Sequence, residues 1–154
     1  MRFWDCPKPT IAAVHGYCLG SSMEITAVCD ITIAADDCLF GAPEVRFGSG
    51  IVCLILPWVI GLKQAKELLL TGDDKVDALR AASMGLINKV VPADRLVTET
   101  DAIAQRIAAN NETAVRLTKT AIKRSVEIAG LRDALDQALQ LDFEIETASA
   151  GKSS

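Results

Sequence analysis

Two glutamates stand where this chain could do proton chemistry. Glu24 follows a Gly-Ser-Ser turn, and Glu44 follows an apolar run and a proline. Each falls where a predicted strand gives way to a turn or helix, a place where a carboxylate can be partly desolvated and aimed at a ligand. A pair of carboxylates with separately tuned acidities can take and give protons around one carbon framework. Spacing alone does not make them an active site. Near a helix start, Glu24 could simply complement the helix dipole and cap a free N–H. Glu44, after Pro43, could be a solvated turn residue.

The elements that must position them read as α/β at first. Residues 10–14 (TIAAV) are β-prone and continuously apolar, as in a strand buried on both faces. Residues 16–22 read as a turn with two small hydroxyl residues, and 22–29 as a helix through Met23, Ala27 and Val28. Residues 30–35 (DITIAA) alternate as a second strand, and 38–40 form a short third. A strand, a crossover helix and a second strand predict parallel pairing. From Val52 onward the pattern turns helical. One helix over 64–70 closes at Thr71-Gly72, another over 76–84 closes at Gly85, and 87–91 is briefly extended. Three longer helices follow at about 93–109, 112–129 and 131–148, separated by Asn110-Asn111 and Gly130. The residues from Gly151 onward read as frayed.

The bulk numbers narrow the function classes. At 154 residues the chain makes about one domain with a real core, and 50% hydrophobic with 23% charged residues excludes disorder. A net charge of -4 gives no reason to expect nucleic acid as a partner. Five cysteines with no C-x-x-C, and the single histidine His15, make a Cys/His metal site the poorer reading. Buried free thiols in a reducing compartment fit better. No apolar signal core opens the chain, and the apolar run at 51–60 is half a membrane span and interrupted by Pro57. The expectation is a soluble, cytoplasmic protein with no membrane partner. His15 reads as a strand-end residue and Asp36-Asp37 as a solvated turn rather than a metal site. Arg116, Lys119 and Lys123 share a helical face that could meet phosphates, though a solvated basic face is the simpler reading. The Leu and Ala stripes of the last helices read as core or subunit interface.

The segments KPTIAAVHGYCLGSSMEI, CDITIAADDCLFGAPEV, LLLTGD and AASMGLINKVVP, with the three-helix tail, resemble the crotonase, or enoyl-CoA hydratase/isomerase, superfamily in its own order. The resemblance implies an α/β fold: a partial crotonase-like β-β-α spiral core over 1–92, then a helical oligomerisation region over 93–154. It implies an acyl-CoA thioester as substrate, a role in fatty acid metabolism, and a homo-oligomer, a trimer or dimer of trimers. It implies no metal and no cofactor, coenzyme A entering only as part of the substrate. Glu24 and Glu44 match the catalytic pair that orients a water and shuttles its protons during addition across the α,β double bond. The backbone N–H of Ser21 matches an oxyanion-hole donor, and Gly20, Ser22 and Gly48 match substrate-binding positions. A free N–H at a helix start suits an oxygen gaining negative charge.

Three departures accompany the match. Little precedes the KP strand, whereas the family has a large N-terminal portion that supplies the second oxyanion donor. The segment FGSGIVCLILPWVIG after the second glutamate is bulkier than the family's Gly/Pro-rich stretch. The chain stops soon after FEIETASAGKSS, where the family adds a terminal helix. The expectation is therefore a family core trimmed at both ends and of hydratase lineage. Isomerase, dehydratase and thioester hydrolase stay open, and the competing expectation is a non-catalytic module that assembles through its helical tail. In either case the apolar edge of strand 10–14 and the apolar tail faces need partners. Light scattering is expected to show an oligomer; a well-behaved monomer in dilute solution would contradict this.

Overall fold

The computed structural model describes residues 1–50 and 53–150. The end read as frayed, 151–154, and the first two residues of the apolar run at 51–60 lie outside them. The chain begins with β1 (Ile11–Val14), β2 (Tyr17–Leu19) and α1 (Ser21–Val28), then β3 (Ile31–Ala35) and β4 (Leu39–Gly41). A 3-10 turn (Pro43–Phe47) leads to α2 (Leu56–Thr71), β5 (Val76–Asp77), α3 (Ala78–Ser83) and β6 (Lys89–Val91). Beyond a second 3-10 turn come α4 (Leu96–Ala108), α5 (Glu112–Ile128) and α6 (Leu131–Ala150). One sheet has the order β1-β3-β6, all parallel; the other has β2-β4-β5, with β2 and β4 parallel and β5 antiparallel. The chain thus alternates between two sheets in β-β-α turns and then becomes helical, the architecture the sequence predicts.

β3 is the centre of the core. Its Ile33 and Ala35 join Val91, Leu96 and Ile103 on the α4 side, while Ala34 joins Met23, Phe40, Leu56 and Leu131 on the other. A strand buried on both faces needs side chains that tolerate burial at successive positions; ITIAA supplies four apolar residues and Thr32, whose hydroxyl donates to the Thr26 carbonyl (3.3 Å). Full burial of side chains the size of Ile33 or Phe40 contributes about 1.5–3 kcal/mol each.

Several expectations are corrected. β1, read as buried on both faces, is an edge strand paired only with β3 among the described residues, and Ala13 is exposed. The turn read over 16–22 contains β2, whose Tyr17 is 76% exposed and so breaks the apolar signal. The helix read over 76–84 opens as β5, with Asp77 capping α3 through an N–H···O bond from Arg80 of 2.7 Å. α2 starts earlier than predicted and breaks at Gly61, then stops at Gly72 in the left-handed region (φ 66°) as expected.

Of the three cations on the basic face of α5, Arg116 is exposed as a solvated face predicts, whereas Lys119 and Lys123 are engaged with the N-terminal part of the chain. Lys119 bonds the Asp30 carboxylate (2.6 Å) and the Lys8 carbonyl (2.9 Å), and Lys123 bonds Asp5 (2.5 Å). Asp30 also accepts from the Thr10 N–H (2.6 Å) and hydroxyl (2.8 Å), tying α5 to the entry of β1. Arg132 bridges Asp5 and Glu127, and Glu127 accepts from the Trp4 indole N–H (3.1 Å). The Lys123 hydrogen bond, with Arg132 beside it, holds the Asp5 carboxyl below its ordinary value. A carboxyl depressed in the folded state stabilises the fold above its unfolded value, and that contribution is lost as pH falls through the folded value. Asp5→Asn is therefore expected to lower the urea midpoint at neutral pH. The gap to wild type should close as pH falls below the ordinary aspartate range. A gap that stays constant on acidification would rule this out.

Candidate active site

Both predicted glutamates issue from one end of one strand pair. β2 and β4 run parallel with Leu19 opposite Gly41, so the chain leaves both strands on the same side of the sheet. The Gly20 N–H donates to the Gly41 carbonyl (2.8 Å), which sets the start of α1 beside the start of the 3-10 turn. Glu24 lies one turn into α1, its N–H bonded to the Gly20 carbonyl (3.1 Å), and Glu44 follows Pro43 at the head of the 3-10 turn. Proline suits the first position because the N–H it lacks would have no partner there.

Glu24 is only 5% exposed. One carboxylate oxygen accepts the Cys53 backbone N–H at 3.0 Å, from the segment before α2. A carboxylate that merely complemented the dipole would sit at the surface; this one is held by a remote segment. Glu44 is half-buried, and its Oε2 is enclosed with no hydrogen-bond partner among the described residues. Its Oε1 lies where a Cβ on Gly20 would stand. Gly20 adopts φ 56°, ψ -127°, a conformation almost confined to glycine, so the residue is required both for backbone shape and for the carboxylate's space. An enclosed, unpartnered carboxylate oxygen is costly unless something else pairs with it.

Among the described residues no side chain caps α1, and the N–H groups at Ser21 and Ser22, in its first turn, have no intrahelical acceptor and lie at the positive end of the dipole. Both residues are exposed. The structure thus brings Gly20, Ser21, Ser22, Glu24 and Glu44 to one edge. Gly48 stands apart: it closes the far end of the 3-10 turn (φ 74°), and its carbonyl accepts from Ser149 of α6 at 2.5 Å. Arg46 in the same turn pairs with Asp74, and the Ala42 N–H bonds the Asp73 carbonyl (2.8 Å), so the turn is anchored on the α2–β5 side as well.

Cys53 was not singled out from the sequence, because a backbone N–H carries no residue-type signal. Burial pushes its thiol up, with the Glu24 charge adding to the effect, so it is protonated and unreactive near neutral pH. Among the described residues no group of three or more His, Cys, Asp or Glu side chains could hold a metal ion. A groove of about 810 Å³ lies elsewhere, between α5 and the end of α1, with Trp4, Trp58 and Val126 among its walls; neither glutamate lines it.

The profile of the enoyl-CoA hydratase/isomerase family matches residues 1–152. A probable mitochondrial enoyl-CoA hydratase of Dictyostelium discoideum is 40% identical over 79% of this chain and 44% of its own length. A crotonyl-CoA hydratase of Syntrophomonas wolfei is 39% identical over 89% of this chain and 52% of its own. The crystal structure of an enoyl-CoA hydratase/isomerase from Xanthobacter autotrophicus Py2 superposes with a TM-score of 0.92 at 50% identity, covering 94% of this chain and 54% of that one. The chain spans about half the length of the curated relatives it matches.

Gly20→Ala is expected to destabilise the fold by about 1–3 kcal/mol from backbone strain alone, and to push Glu44 from its place. Ser22→Ala, on the exposed side of the same turn, should stay within about 0.5 kcal/mol of wild type. Urea unfolding of the two variants checks this; equal effects would show that Gly20 carries no special constraint.

Proposed function

This chain belongs to the enoyl-CoA hydratase/isomerase family, and from that premise we propose that it hydrates, or in reverse dehydrates, an α,β-unsaturated acyl-CoA thioester. The observation that carries the reading is the Glu44 carboxylate seated on Gly20, at the start of the helix that bears Glu24 one turn later. In this reading the two carboxylates act as proton carriers near the start of α1, where the first N–H groups lack an intrahelical acceptor.

In the proposed reaction the Ser21 N–H donates to the thioester oxygen. Negative charge that gathers there as the double bond is attacked is stabilised by the N–H and by the dipole of α1. The glutamate pair orients a water; its oxygen bonds to the β carbon while its proton passes to a carboxylate. A proton returned from the pair to the α carbon completes the addition, and both carboxylates end as they began. Gly20, Ser22 and Gly48 belong to the binding surface in this reading, with Gly48 acting through the shape of the 3-10 turn. The mechanism calls on no metal, nicotinamide or flavin, and coenzyme A enters as part of the substrate. The five free thiols support a reducing, cytoplasmic setting, and no helix among the described residues is long and apolar enough to cross a membrane. A role in fatty acid metabolism follows from the same substrate class.

A second reading is a non-catalytic module of this fold that assembles through its helices. It is favoured by the apolar side chains that α4, α5 and α6 expose, among them Val97 (71%), Ile128 (87%) and Phe143 (64%). Those same residues support a homo-oligomer under either reading, and the family resemblance makes a trimer or a dimer of trimers the proposed form.

Hydration of crotonyl-CoA, followed as loss of the conjugated thioester's ultraviolet absorbance, separates the two. Wild type is expected to turn over, and Glu24→Gln and Glu44→Gln are each expected to lose about 10²–10⁴-fold in kcat with assembly unchanged. Turnover indifferent to Glu24→Gln, or none from a folded protein, would favour the module.

A further inference from the structure

α6 reaches the segment that follows the Glu44 turn. Its buried stripe runs Leu131, Leu135, Ala138, Asp142 at helical spacing, so an acid occupies a place that calls for an apolar residue. Asp142 is 7% exposed, and its Oδ1 has no hydrogen-bond partner among the described residues. That oxygen lies where a Cβ on Gly50 would stand, with the end of Ile145 beside it. The backbone of Gly50 is not in the left-handed region, so the missing side chain is explained by space alone. Two polar contacts follow along the same helix: Ser49 donates to Glu146, and Ser149 donates to the Gly48 carbonyl.

The segment gripped in this way leads directly back to Glu44. The Ser49 N–H bonds the Glu44 carbonyl at 3.1 Å, and the Gly48 N–H reaches the carbonyls of Glu44 and Val45. On the other side of the turn the Glu44 carboxylate occupies the space above Gly20. Direct contacts therefore run from Asp142 to Gly50, along the backbone to Glu44, and on to the start of α1.

We propose that α6 sets where Glu44 sits, with Asp142 as a positioning residue that seats Gly50 and through it the Glu44 turn. The role of Glu44 rests on the hydratase reading; the mechanical linkage does not. A leucine at 142 would continue the stripe without burying an unpaired oxygen, so the acid is there for what it does to the loop. Two pairs then share one logic: Gly20 makes room for Glu44, and Gly50 makes room for Asp142.

The test uses the whole chain, labelled with ¹⁵N, in wild type, Gly50→Ala, Asp142→Ala and the double variant. The Gly50→Ala methyl collides with Asp142 Oδ1. It should shift the backbone amide signals of Gly48 and Ser49 and also those of Gly20 and Ser21. In the double variant the new methyl takes the space the carboxylate vacates, so the Gly20 and Ser21 signals should return toward wild type. In the crotonyl-CoA assay Gly50→Ala should lower kcat by about tenfold or more with KM within about twofold, as for a displaced catalytic group. The double variant should recover part of that loss. Shifts confined to 48–50, or strictly additive effects, would overturn the linkage. If wild type shows no turnover, the amide signals still decide the linkage, and only the hydratase reading falls. Should Gly50→Ala not fold, Asp142→Ala decides alone: unchanged Gly20 and Ser21 signals would overturn the proposal.

Discussion

The parallel pairing of β2 with β4 is the constraint on which the candidate site depends. Parallel strands end on the same side of a sheet, so whatever follows them is brought together without further design. Here the register sets Leu19 against Gly41, and the Gly20 N–H is tied to the Gly41 carbonyl. A helix start and a 3-10 turn, far apart in sequence, become neighbours. β5 then closes the other side of β4, and the Ala42 N–H is bound by Asp73, so the Glu44 turn cannot swing away from α1. A shift of β2 by one residue would reverse which side chains face the core and would carry Gly20 out from under Glu44.

Much of this is legible in the sequence. The helices announced themselves through caps and breaks: Asn111 caps α5 through the Ala114 N–H (2.9 Å), Gly72 stops α2, and Gly130 separates α5 from α6. β3 was legible because Ile31, Thr32 and Ile33 are β-branched in a row and two small apolar residues follow them. β2 was not, because three residues with an exposed tyrosine show none, and its pairing with β4 is non-local. The edge position of β1 was hidden for the same reason: apolar content reports a tolerance for burial, not which neighbours arrive.

Both glutamates were readable from the motifs that surround them, but their environments were not. That Glu24 is met by the N–H of Cys53 depends on how the segment before α2 returns to α1. The fate of Lys119 and Lys123 was misjudged because their partners, Asp30 and Asp5, lie near the other end of the chain. Asp142 did leave a trace, as the one acid in an otherwise apolar stripe from Leu131 to Ala138, although its partner Gly50 could not be named from that alone.

One feature of the core bears on how the molecule can be observed. Cys38 is completely buried, with its thiol pushed up to about 12, and Cys18, also buried, is raised as well. Alkylating reagents attack the thiolate, which Cys38 does not form at neutral pH inside the fold. Its modification must wait for the sheets and α1 to come apart and expose it. Cys38 is in effect a built-in clock: the rate at which it becomes labelled counts the openings of the very scaffold that aligns β2 with β4.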